Sequence, residues 1–297
     1  PGDSVIIPAP FWTSYPDMVR MCGASSVVLP TLAAEDYSLT GAALRQALEQ
    51  QPRARVLILC NPSNPSGCVS SEQSLLEIAA VLRDFPQVVV LSDEIYERLT
   101  YEPEHPHLSF AAIPGMHGRT VTINGFSKSH SMTGYRIGYL AAPLRVAKAA
   151  AKVQSQITSC ASSVSQHAAL AALSMPDGGS QWLRERLGEL RGKRDLAYSL
   201  LQDIPGVSCP LPRGAFYLLP DVSSHFGKRM PATAGAAGVV VRDSTDLCLQ
   251  LLRAEGVALV PGDAFGAPAT VRISYAASEQ LLQGALTRLG RFLAALE

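Results

Sequence analysis

The residues Asn124-Gly-Phe-Ser-Lys-Ser-His-Ser-Met-Thr-Gly-Tyr-Arg-Ile-Gly138 decide how the rest of the chain is interpreted. Within them, Lys128 follows an apolar run, and Arg136 lies eight residues further on. A buried lysine amine can condense with an aldehyde to form a Schiff base. An arginine can bind a phosphate through two parallel hydrogen bonds. Although most lysines are ordinary surface residues, this stretch predicts a site for a ligand that carries an aldehyde and a phosphate.

A second group of candidates lies upstream, where the apolar run Val88-Val-Val-Val-Leu91 is followed by Ser-Asp93-Glu-Ile-Tyr96. Open α/β sheets bind their ligands at the carboxyl ends of strands. A carboxylate there can keep a pyridine nitrogen protonated, which makes the ring an electron sink. A helical turn after Asp93 would place Tyr96 on the same face; alternatively, Asp93 or Ser92 simply caps that turn. Together with the lysine and arginine, these residues indicate a pyridoxal phosphate site.

Two more candidates follow the ends of other predicted strands. Asn64 lies in Asn61-Pro-Ser-Asn-Pro-Ser-Gly67, a composition typical of a tight turn, and its amide is a neutral donor that can stabilise an anionic ring 3-oxygen. Trp12 follows the first strand in Ala9-Pro-Phe-Trp-Thr-Ser-Tyr15. Its indole either packs in the core or lies over the cofactor ring, and Phe11 competes with it for that second position.

An arginine in an apolar strand and a serine beside the lysine complete the set of candidates. Arg272 lies between short apolar residues in Thr270-Val-Arg-Ile-Ser-Tyr275, and a buried guanidinium needs an anionic partner. That partner is either an internal carboxylate or a substrate carboxylate. Ser127 is a candidate phosphate ligand. His130 and His167 lack the spacing of metal ligands, so we interpret them as structural.

The composition excludes several classes of function. The chain has 297 residues with 25 basic and 25 acidic side chains, so its charge gives no indication of nucleic acid or a charged membrane as a partner. Its apolar runs are too short to span a bilayer. The six cysteines form no C-x-x-C pair, which favours buried thiols over a zinc site or a disulfide framework. The sequence lacks a P-loop, a G-x-G-x-x-G motif and a G-x-S-x-G motif.

Short β-branched runs alternate with helical segments along residues 1–180, and apolar runs without alternation predict a mostly parallel α/β sheet covered on both faces. The predicted strands are 5–7, 26–29, 56–59, 88–91, 120–123 and 137–140, and the predicted helical stretches are 15–22, 41–50, 71–84 and 143–173. A turn-rich segment at 174–180 predicts a domain boundary near residue 180. Residues 181–297 are expected to form a smaller α+β domain, with helices at 181–202, 244–255 and 278–296, strands at 214–219 and 271–275, and a Gly/Ala-rich loop at 231–238.

Six motifs follow one another in the order typical of a single enzyme family. They are P-F-W-x-S-Y-P, N-P-S-N-P-S-G, S-D-E-I-Y, N-G-F-S-K-x-x-x-M-T-G-Y-R-I-G-Y, R-G-A-F-Y and V-R-I-S-Y-A. With these motifs the chain resembles, over essentially its whole length, a class I aminotransferase of the pyridoxal phosphate fold type I superfamily. Residues 153–159, 161–166 and 258–266 resemble the plastid bifunctional aspartate/prephenate aminotransferases of plants and algae, which are near neighbours of the prokaryotic-type aspartate aminotransferases.

The resemblance implies a role for each matching residue. Lys128 would hold the cofactor as a Schiff base and, once freed, would move a proton from the substrate α-carbon to the cofactor. The other implied contacts are the ring nitrogen for Asp93, the 3-oxygen for Asn64 and Tyr96, the ring face for Trp12, the phosphate for Arg136 and Ser127, and the substrate α-carboxylate for Arg272. The expected catalytic residues are Lys128, Asp93 and Tyr96, and the expected substrate-binding residues are Arg272, Trp12 and Asn64.

The implied function is transfer of an amino group between aspartate or glutamate and a 2-oxo acid such as oxaloacetate, 2-oxoglutarate or prephenate, in a ping-pong cycle. The resemblance also implies a homodimer without nucleic acid or membrane partners, in the plastid or otherwise in the cytoplasm. One alternative is a kynurenine- or aromatic-type aminotransferase or β-lyase of the same superfamily. Another is a truncated chain without catalytic competence.

Two departures from the family pattern bear on these expectations. The chain opens at Pro1-Gly-Asp-Ser-Val-Ile-Ile7, which resembles the interior of a domain. We therefore expect a preceding segment to carry a Gly-containing phosphate loop, residues that recognise the distal carboxylate, and an aromatic side chain donated across the dimer. In addition, Ser129-His-Ser131 stands where relatives usually have Ala-Phe-Ala, so His130 places a polar ring close to Lys128.

Overall fold

The computed structural model describes residues 1–104, 106–231 and 238–297 of the chain. Most of the Gly/Ala-rich loop predicted at 231–238 lies outside these residues, so that prediction stays untested. Within the described part, no helix combines the length and the apolar composition needed to cross a membrane.

A sheet of six strands, counted over the described residues, frames the first part of the chain. Its strands are β1 (Ser4–Ala9), β2 (Ser25–Pro30), β3 (Ala54–Cys60), β4 (Val89–Asp93), β5 (Thr120–Gly125) and β6 (Gly138–Ala141). They lie in the order β2-β1-β3-β4-β5-β6. Neighbouring strands are parallel, except that β6 at the edge runs antiparallel to β5. The mostly parallel sheet predicted from unalternating apolar runs is confirmed.

Helices connect and follow these strands: α1 (Ser14–Met21), α2 (Gly41–Gln50), α3 (Glu72–Asp84), α4 (Leu144–Ile157) and α5 (Ser163–Leu173). The hydroxyls of Thr40 and Ser71 cap α2 and α3, each accepting a hydrogen bond from the backbone N–H three residues on. The single helical stretch predicted at 143–173 is wrong, because it is divided between α4 and α5. Ser159 has a left-handed φ of 62° at the break, and the Ser and Thr side chains around it favour turns over helix.

A smaller antiparallel sheet lies in the second part of the chain. It contains β7 (Tyr217–Leu218), β8 (Val260–Pro261) and β9 (Val271–Ser274) in the order β7-β9-β8, and it is accompanied by α6 (Ser180–Gln202), α7 (Ser244–Glu255) and α8 (Glu279–Ala294). The strand predicted at 214–219 is shorter than expected. Ala215 has a left-handed φ of 54°, and its N–H donates to the Leu99 carbonyl at 2.9 Å instead of joining the sheet.

Each sheet has an apolar cluster of its own. Leu57 and Leu82 are fully buried in the cluster of the larger sheet. Leu218, Leu251 and Tyr275 are fully buried in the cluster of the smaller sheet. The domain boundary predicted near residue 180 stays a prediction.

Four adjacent parallel strands of the larger sheet end at the same edge, and each ends in or is followed by a predicted site residue. Trp12 follows β1, Asn64 follows β3, Asp93 is the last residue of β4, and Lys128 follows β5. Because β1, β3, β4 and β5 are neighbours, their carboxyl ends bring four distant segments of sequence together. This is the edge at which open α/β sheets bind ligands.

Candidate active site

A cleft of about 570 Å³ lies at this edge of the larger sheet. Its lining includes every side chain predicted for the site: Trp12, Asn64, Asp93, Tyr96, Ser127, Lys128, Arg136 and Arg272. The smaller sheet also borders the cleft, through Tyr217 on β7 and Arg272 on β9. The fold therefore places the predicted residues in one space, although they come from both sheets and from distant parts of the sequence.

Asp93 is partly buried, and its carboxylate borders the cleft. Its Oδ2 accepts a 2.6 Å hydrogen bond from the Tyr15 hydroxyl, and its Oδ1 accepts a 3.2 Å hydrogen bond from the backbone N–H of Ile95. The second bond forms an Asx turn, so Asp93 caps a turn and not a helix. Burial raises the pKa of the Asp93 carboxyl above its usual range, and the Tyr15 hydrogen bond offsets part of that rise.

Lys128 lies in the loop after β5 and is partly buried. Its Nζ lies over two aromatic rings, 5.4 Å from the centre of the Phe216 ring and 5.8 Å from that of Tyr96. Burial lowers the pKa of the Lys128 amine, and the charges of Arg136 and Arg272 lower it further. A lower pKa leaves more of the amine neutral at a given pH, and the neutral amine is the form that acts as a nucleophile or a base.

Arg272 extends from β9 into the cleft. Its Nη1 donates a 2.9 Å hydrogen bond to Oδ1 of Asn64. Its guanidinium lies near two rings, 4.5 Å from the centre of Tyr217 and 4.8 Å from the centre of Phe265. With its oxygen facing Arg272, Asn64 has its amide nitrogen left as the donor for a ligand.

Tyr96 is buried, and its hydroxyl lies 2.9 Å from the hydroxyl of Tyr217. Residues 95–98 form turns instead of the predicted helical turn, yet Tyr96 and Asp93 border the same cleft. Burial first, and then the neighbouring Tyr217, raises the pKa of Tyr96 well above its usual range. Tyr96 therefore keeps its proton at ordinary pH and can act as a hydrogen-bond donor.

Trp12 borders the cleft, whereas Phe11 does not. The Trp12 ring makes an edge contact with the Tyr15 ring, with 5.4 Å between their centres. Phe11 is buried in an apolar cluster with residues of β1. The position of Trp12 suits a side chain that lies against a bound ring, and its stacking role stays a prediction.

The predicted phosphate ligands also border the cleft. Ser127 is partly exposed and Arg136 is exposed. Arg136 has a left-handed φ of 52°, and its Nη1 donates a 2.9 Å hydrogen bond to the Thr133 carbonyl. A guanidinium has further N–H donors for a phosphate, and the phosphate role of both residues stays a prediction.

His130 does not line the cleft, although it lies two residues after Lys128. Its Nδ1 is 2.8 Å from the Ser129 hydroxyl, and its ring stacks on Trp182 with 6.5 Å between ring centres. His167 is exposed on α5. The interpretation of both histidines as structural stays a prediction.

Sequence reasoning missed three aromatic side chains of the site. Tyr15 donates to Asp93, Phe216 lies beside Lys128, and Tyr217 lies next to the Tyr96 hydroxyl. All three stand in the motifs P-F-W-x-S-Y-P and R-G-A-F-Y, so the sequence contained a signal for them. The motifs alone did not indicate which group each ring contacts.

The charges of the cleft suit an anionic, phosphate-bearing pyridine. Lys128, Arg136 and Arg272 line it together with a single carboxylate, that of Asp93. None of these four groups belongs to an ion pair within residues 1–104, 106–231 and 238–297. Cations without internal partners favour an anionic ligand, and a carboxylate without a cation favours a protonated ring nitrogen. Pyridoxal phosphate meets both requirements.

We expect Tyr15→Phe to weaken the retention of pyridoxal phosphate. The substitution keeps the ring and removes the hydroxyl that donates to Asp93 at 2.6 Å, so the carboxylate is less well fixed and less stable as an anion. A hydrogen bond to a charged group contributes about 1.5–3 kcal/mol, which corresponds to a roughly ten- to hundredfold higher dissociation constant. Equilibrium dialysis with pyridoxal phosphate measures this dissociation constant.

Tyr198→Phe is the matched control for this prediction. It removes the hydroxyl of a tyrosine on α6 that packs against the cluster of the smaller sheet and does not line the cleft. The control should retain the cofactor as the unmodified chain does. Equal retention by Tyr15→Phe would contradict a role for its hydroxyl in supporting Asp93.

Comparisons with known proteins agree with this geometry. The family described as aminotransferase class I and II matches residues 1–289. An aspartate aminotransferase of Pinus pinaster is 46% identical over 293 residues, which cover 99% of this chain and 58% of the relative. A bifunctional aspartate aminotransferase and glutamate/aspartate-prephenate aminotransferase of Petunia hybrida is 45% identical over 297 residues, which cover 100% of this chain and 60% of the relative. The chain thus spans 58–60% of the length of these two relatives.

Solved structures show the same likeness. The crystal structure of the aspartate aminotransferase from Rhizobium meliloti matches with a TM-score of 0.93 at 40% sequence identity, covering 100% of this chain and 72% of that chain. The architecture expected from the six motifs is therefore confirmed. With the family match extending over residues 1–289, this chain belongs to the aminotransferase class I and II family.

Proposed function

We propose that the protein is a pyridoxal phosphate-dependent aminotransferase that moves an amino group between aspartate or glutamate and a 2-oxo acid. The observation that carries the proposal is the single cleft lined by Lys128, Asp93 and Arg272. The reaction needs an amine that can lose its proton, a carboxylate for a ring nitrogen and a cation for the substrate carboxylate. The names of the relatives support aspartate, glutamate and prephenate as substrates. Loss of the amino group converts aspartate to oxaloacetate and glutamate to 2-oxoglutarate, which are the other proposed oxo acids.

The cofactor assignment follows from the family and from the fit of the cleft. Class I aminotransferases of the aspartate type use pyridoxal phosphate. The chemistry that this group supplies when bound is a protonated ring that accepts the electrons left at the substrate α-carbon. The residues that would hold it are Asp93 at the ring nitrogen, Asn64 and Tyr96 at the 3-oxygen, Trp12 at the ring face, Arg136 and Ser127 at the phosphate, and Lys128 at the aldehyde carbon.

Proton transfer in this proposal belongs to Lys128. Its Nζ, whose pKa is lowered by burial and by the charges of Arg136 and Arg272, would take the proton from the substrate α-carbon and deliver it to the carbon that carried the cofactor aldehyde. Arg272 holds the substrate α-carboxylate, which fixes the substrate in the orientation that this transfer needs. The rings of Phe216 and Tyr96 lie beside Nζ and add to the burial that lowers its pKa.

The half-reaction tests the proposed function. The purified chain is titrated with pyridoxal phosphate, and the visible absorbance of the loaded protein is followed while aspartate or glutamate is added. We expect the band to disappear as oxaloacetate or 2-oxoglutarate is released, and to return when a second oxo acid is added. A response to kynurenine or tyrosine alone, or release of pyruvate with ammonia, would favour the aromatic-type or β-lyase alternatives. A folded chain without a band would favour the catalytically incompetent alternative.

We also propose that the chain forms a homodimer. Helix α4 has no buried residue, and its side chains Leu144, Val153 and Ile157 are 68%, 57% and 75% exposed. Three large apolar side chains exposed on one helix support an interface with another chain. The domain division at residue 180 is proposed from the sequence pattern, and a plastid location is proposed from the resemblance to the plant and algal subgroup.

A further inference from the structure

Tyr217 contacts two groups of the cleft that have different predicted tasks. Its hydroxyl lies 2.9 Å from the hydroxyl of Tyr96, which would hold the cofactor 3-oxygen. Its ring lies 4.5 Å from the guanidinium carbon of Arg272, which would hold the substrate carboxylate. A single side chain therefore adjoins both the cofactor part and the substrate part of the site.

The smaller sheet fixes this arrangement. Tyr217 on β7 is paired with Ser274 on β9, so Arg272, two residues before Ser274, lies diagonally opposite Tyr217 on the same face. The segment before β7 is tied to the loop that follows β3 of the larger sheet, because the N–H of Gly214 donates to the Gly67 carbonyl at 2.9 Å. The Tyr217 ring is thus held at the junction between the two sheets.

Either phenol can be the donor in the hydrogen bond between Tyr96 and Tyr217. One hydroxyl donates its proton, and the other keeps its proton for a different acceptor. Burial raises the pKa of Tyr217, but its hydrogen bond with Tyr96 and the Arg272 charge offset part of that rise. For Tyr96, burial and Tyr217 both raise the pKa. The Arg272 guanidinium lies 4.5 Å from the centre of the Tyr217 ring, and a cation beside a phenol makes it the better hydrogen-bond donor. This placement favours donation from Tyr217 to Tyr96, which leaves the Tyr96 proton for a ligand.

We propose that Tyr217 is a positioning residue whose hydroxyl donates to Tyr96, leaving the Tyr96 proton for the cofactor 3-oxygen, and whose ring holds the Arg272 guanidinium for the substrate carboxylate. The inference rests on the proposed function, since it requires pyridoxal phosphate and carboxylate substrates in this cleft. A hydroxyl that accepts a hydrogen bond becomes a stronger donor. Tyr217 therefore strengthens the hydrogen bond from Tyr96 without touching the cofactor.

Tyr217→Phe tests the hydroxyl, because it removes the oxygen and keeps the ring. The visible absorbance of the protein loaded with pyridoxal phosphate is titrated with pH. Weaker donation from Tyr96 leaves the 3-oxygen more basic, so the apparent pKa of the absorbance change should rise by roughly 0.2–0.6 units. An unchanged value would overturn the assignment. A fall would also overturn it, since it would mean that Tyr96 donates to Tyr217 in the unmodified protein.

Tyr217→Leu tests the ring, when it is compared with Tyr217→Phe. Succinate, a dicarboxylate without an amino group, is titrated calorimetrically into each loaded protein. Loss of the ring beside Arg272 should weaken succinate binding by roughly 3- to 30-fold, as expected for a cation–π contact. The Phe variant keeps the ring and should bind succinate within about twofold of the unmodified protein. Equal affinities of the Leu and Phe variants would overturn the role of the ring.

Controls separate this inference from the proposed function on which it rests. If the unmodified chain shows no absorbance band, the proposed function fails. If the unmodified chain shows the band and Tyr217→Phe gives the same pH titration, the inference about Tyr217 fails alone. Tyr198→Phe, which removes a hydroxyl outside the cleft lining, should change neither measurement. Should Tyr217→Leu fail to fold, the pH titration of the Phe variant still decides the role of the hydroxyl.

Discussion

Lys128→Ala is expected to abolish both the Schiff-base absorbance band of the loaded protein and amino transfer. The substitution removes the Nζ that lies 5.4 Å from the Phe216 ring centre and 5.8 Å from that of Tyr96. The chain then lacks the nucleophile for the cofactor aldehyde and the base for the α-proton. Loss of the base alone lowers the rate by roughly 10²- to 10⁴-fold, and loss of the covalent link adds to it. A cofactor titration followed by absorbance and a steady-state transamination assay measure the two effects.

Two further substitutions show whether the effect belongs to the chemistry of this lysine. Lys128→Arg keeps a positive charge, but its guanidinium stays protonated at working pH and should restore neither measurement. Lys193→Ala removes a lysine on α6 that does not line the cleft and should leave both unchanged. A Schiff-base band that survives in Lys128→Ala would assign the covalent link to another lysine.

The larger sheet was predictable because its strands are continuous apolar runs of β-branched residues. The bounds of α2 and α7 agree with the predicted 41–50 and 244–255, since Thr40 and Asp243 are N-cap residue types at the predicted starts. The break between α4 and α5 was missed because residues 158–162 contain neither Gly nor Pro. The left-handed φ of Ser159 is set by the surrounding structure and leaves no such signal.

The grouping of the site residues was predictable for those that lie at or after the end of a strand of the larger sheet. Neighbouring parallel strands end at one edge, so the motifs that follow them are brought together once the sheet forms. The partner of each side chain was not predictable in this way. Tyr15 contacts Asp93, although the two are 78 residues apart in the sequence, and Tyr217 contacts Tyr96 at a sequence separation of 121 residues. Such contacts depend on side-chain rotamers and on the position of one sheet against the other, which residue spacing does not encode.

Arg272→Ala is expected to weaken carboxylate binding strongly and cofactor binding little. The guanidinium is oriented by Asn64 at 2.9 Å and by the Tyr217 ring, and across the described ranges it has no ion-pair partner. It can therefore bind a substrate carboxylate through two hydrogen bonds. Removing one member of a hydrogen-bonded charge pair costs about 2–5 kcal/mol, or roughly 30- to several-thousand-fold in affinity. Calorimetric titration of succinate measures the loss, and the absorbance band reports that the cofactor is retained.

Arg272→Lys separates the geometry of the guanidinium from its charge. A lysine offers a compact charge in place of a planar fork, so it should recover only part of the lost affinity. Arg242→Ala is the surface control, because Arg242 pairs with Asp246 at an exposed position and exposed ion pairs contribute little. Unchanged succinate binding in Arg272→Ala would mean that Arg272 has a structural role only. Lys128 or Arg136 would then have to bind the carboxylate. Lys128 is proposed for proton transfer and Arg136 for phosphate binding. That result would therefore also contradict the roles proposed for Lys128, Arg136 and Arg272 in the cleft.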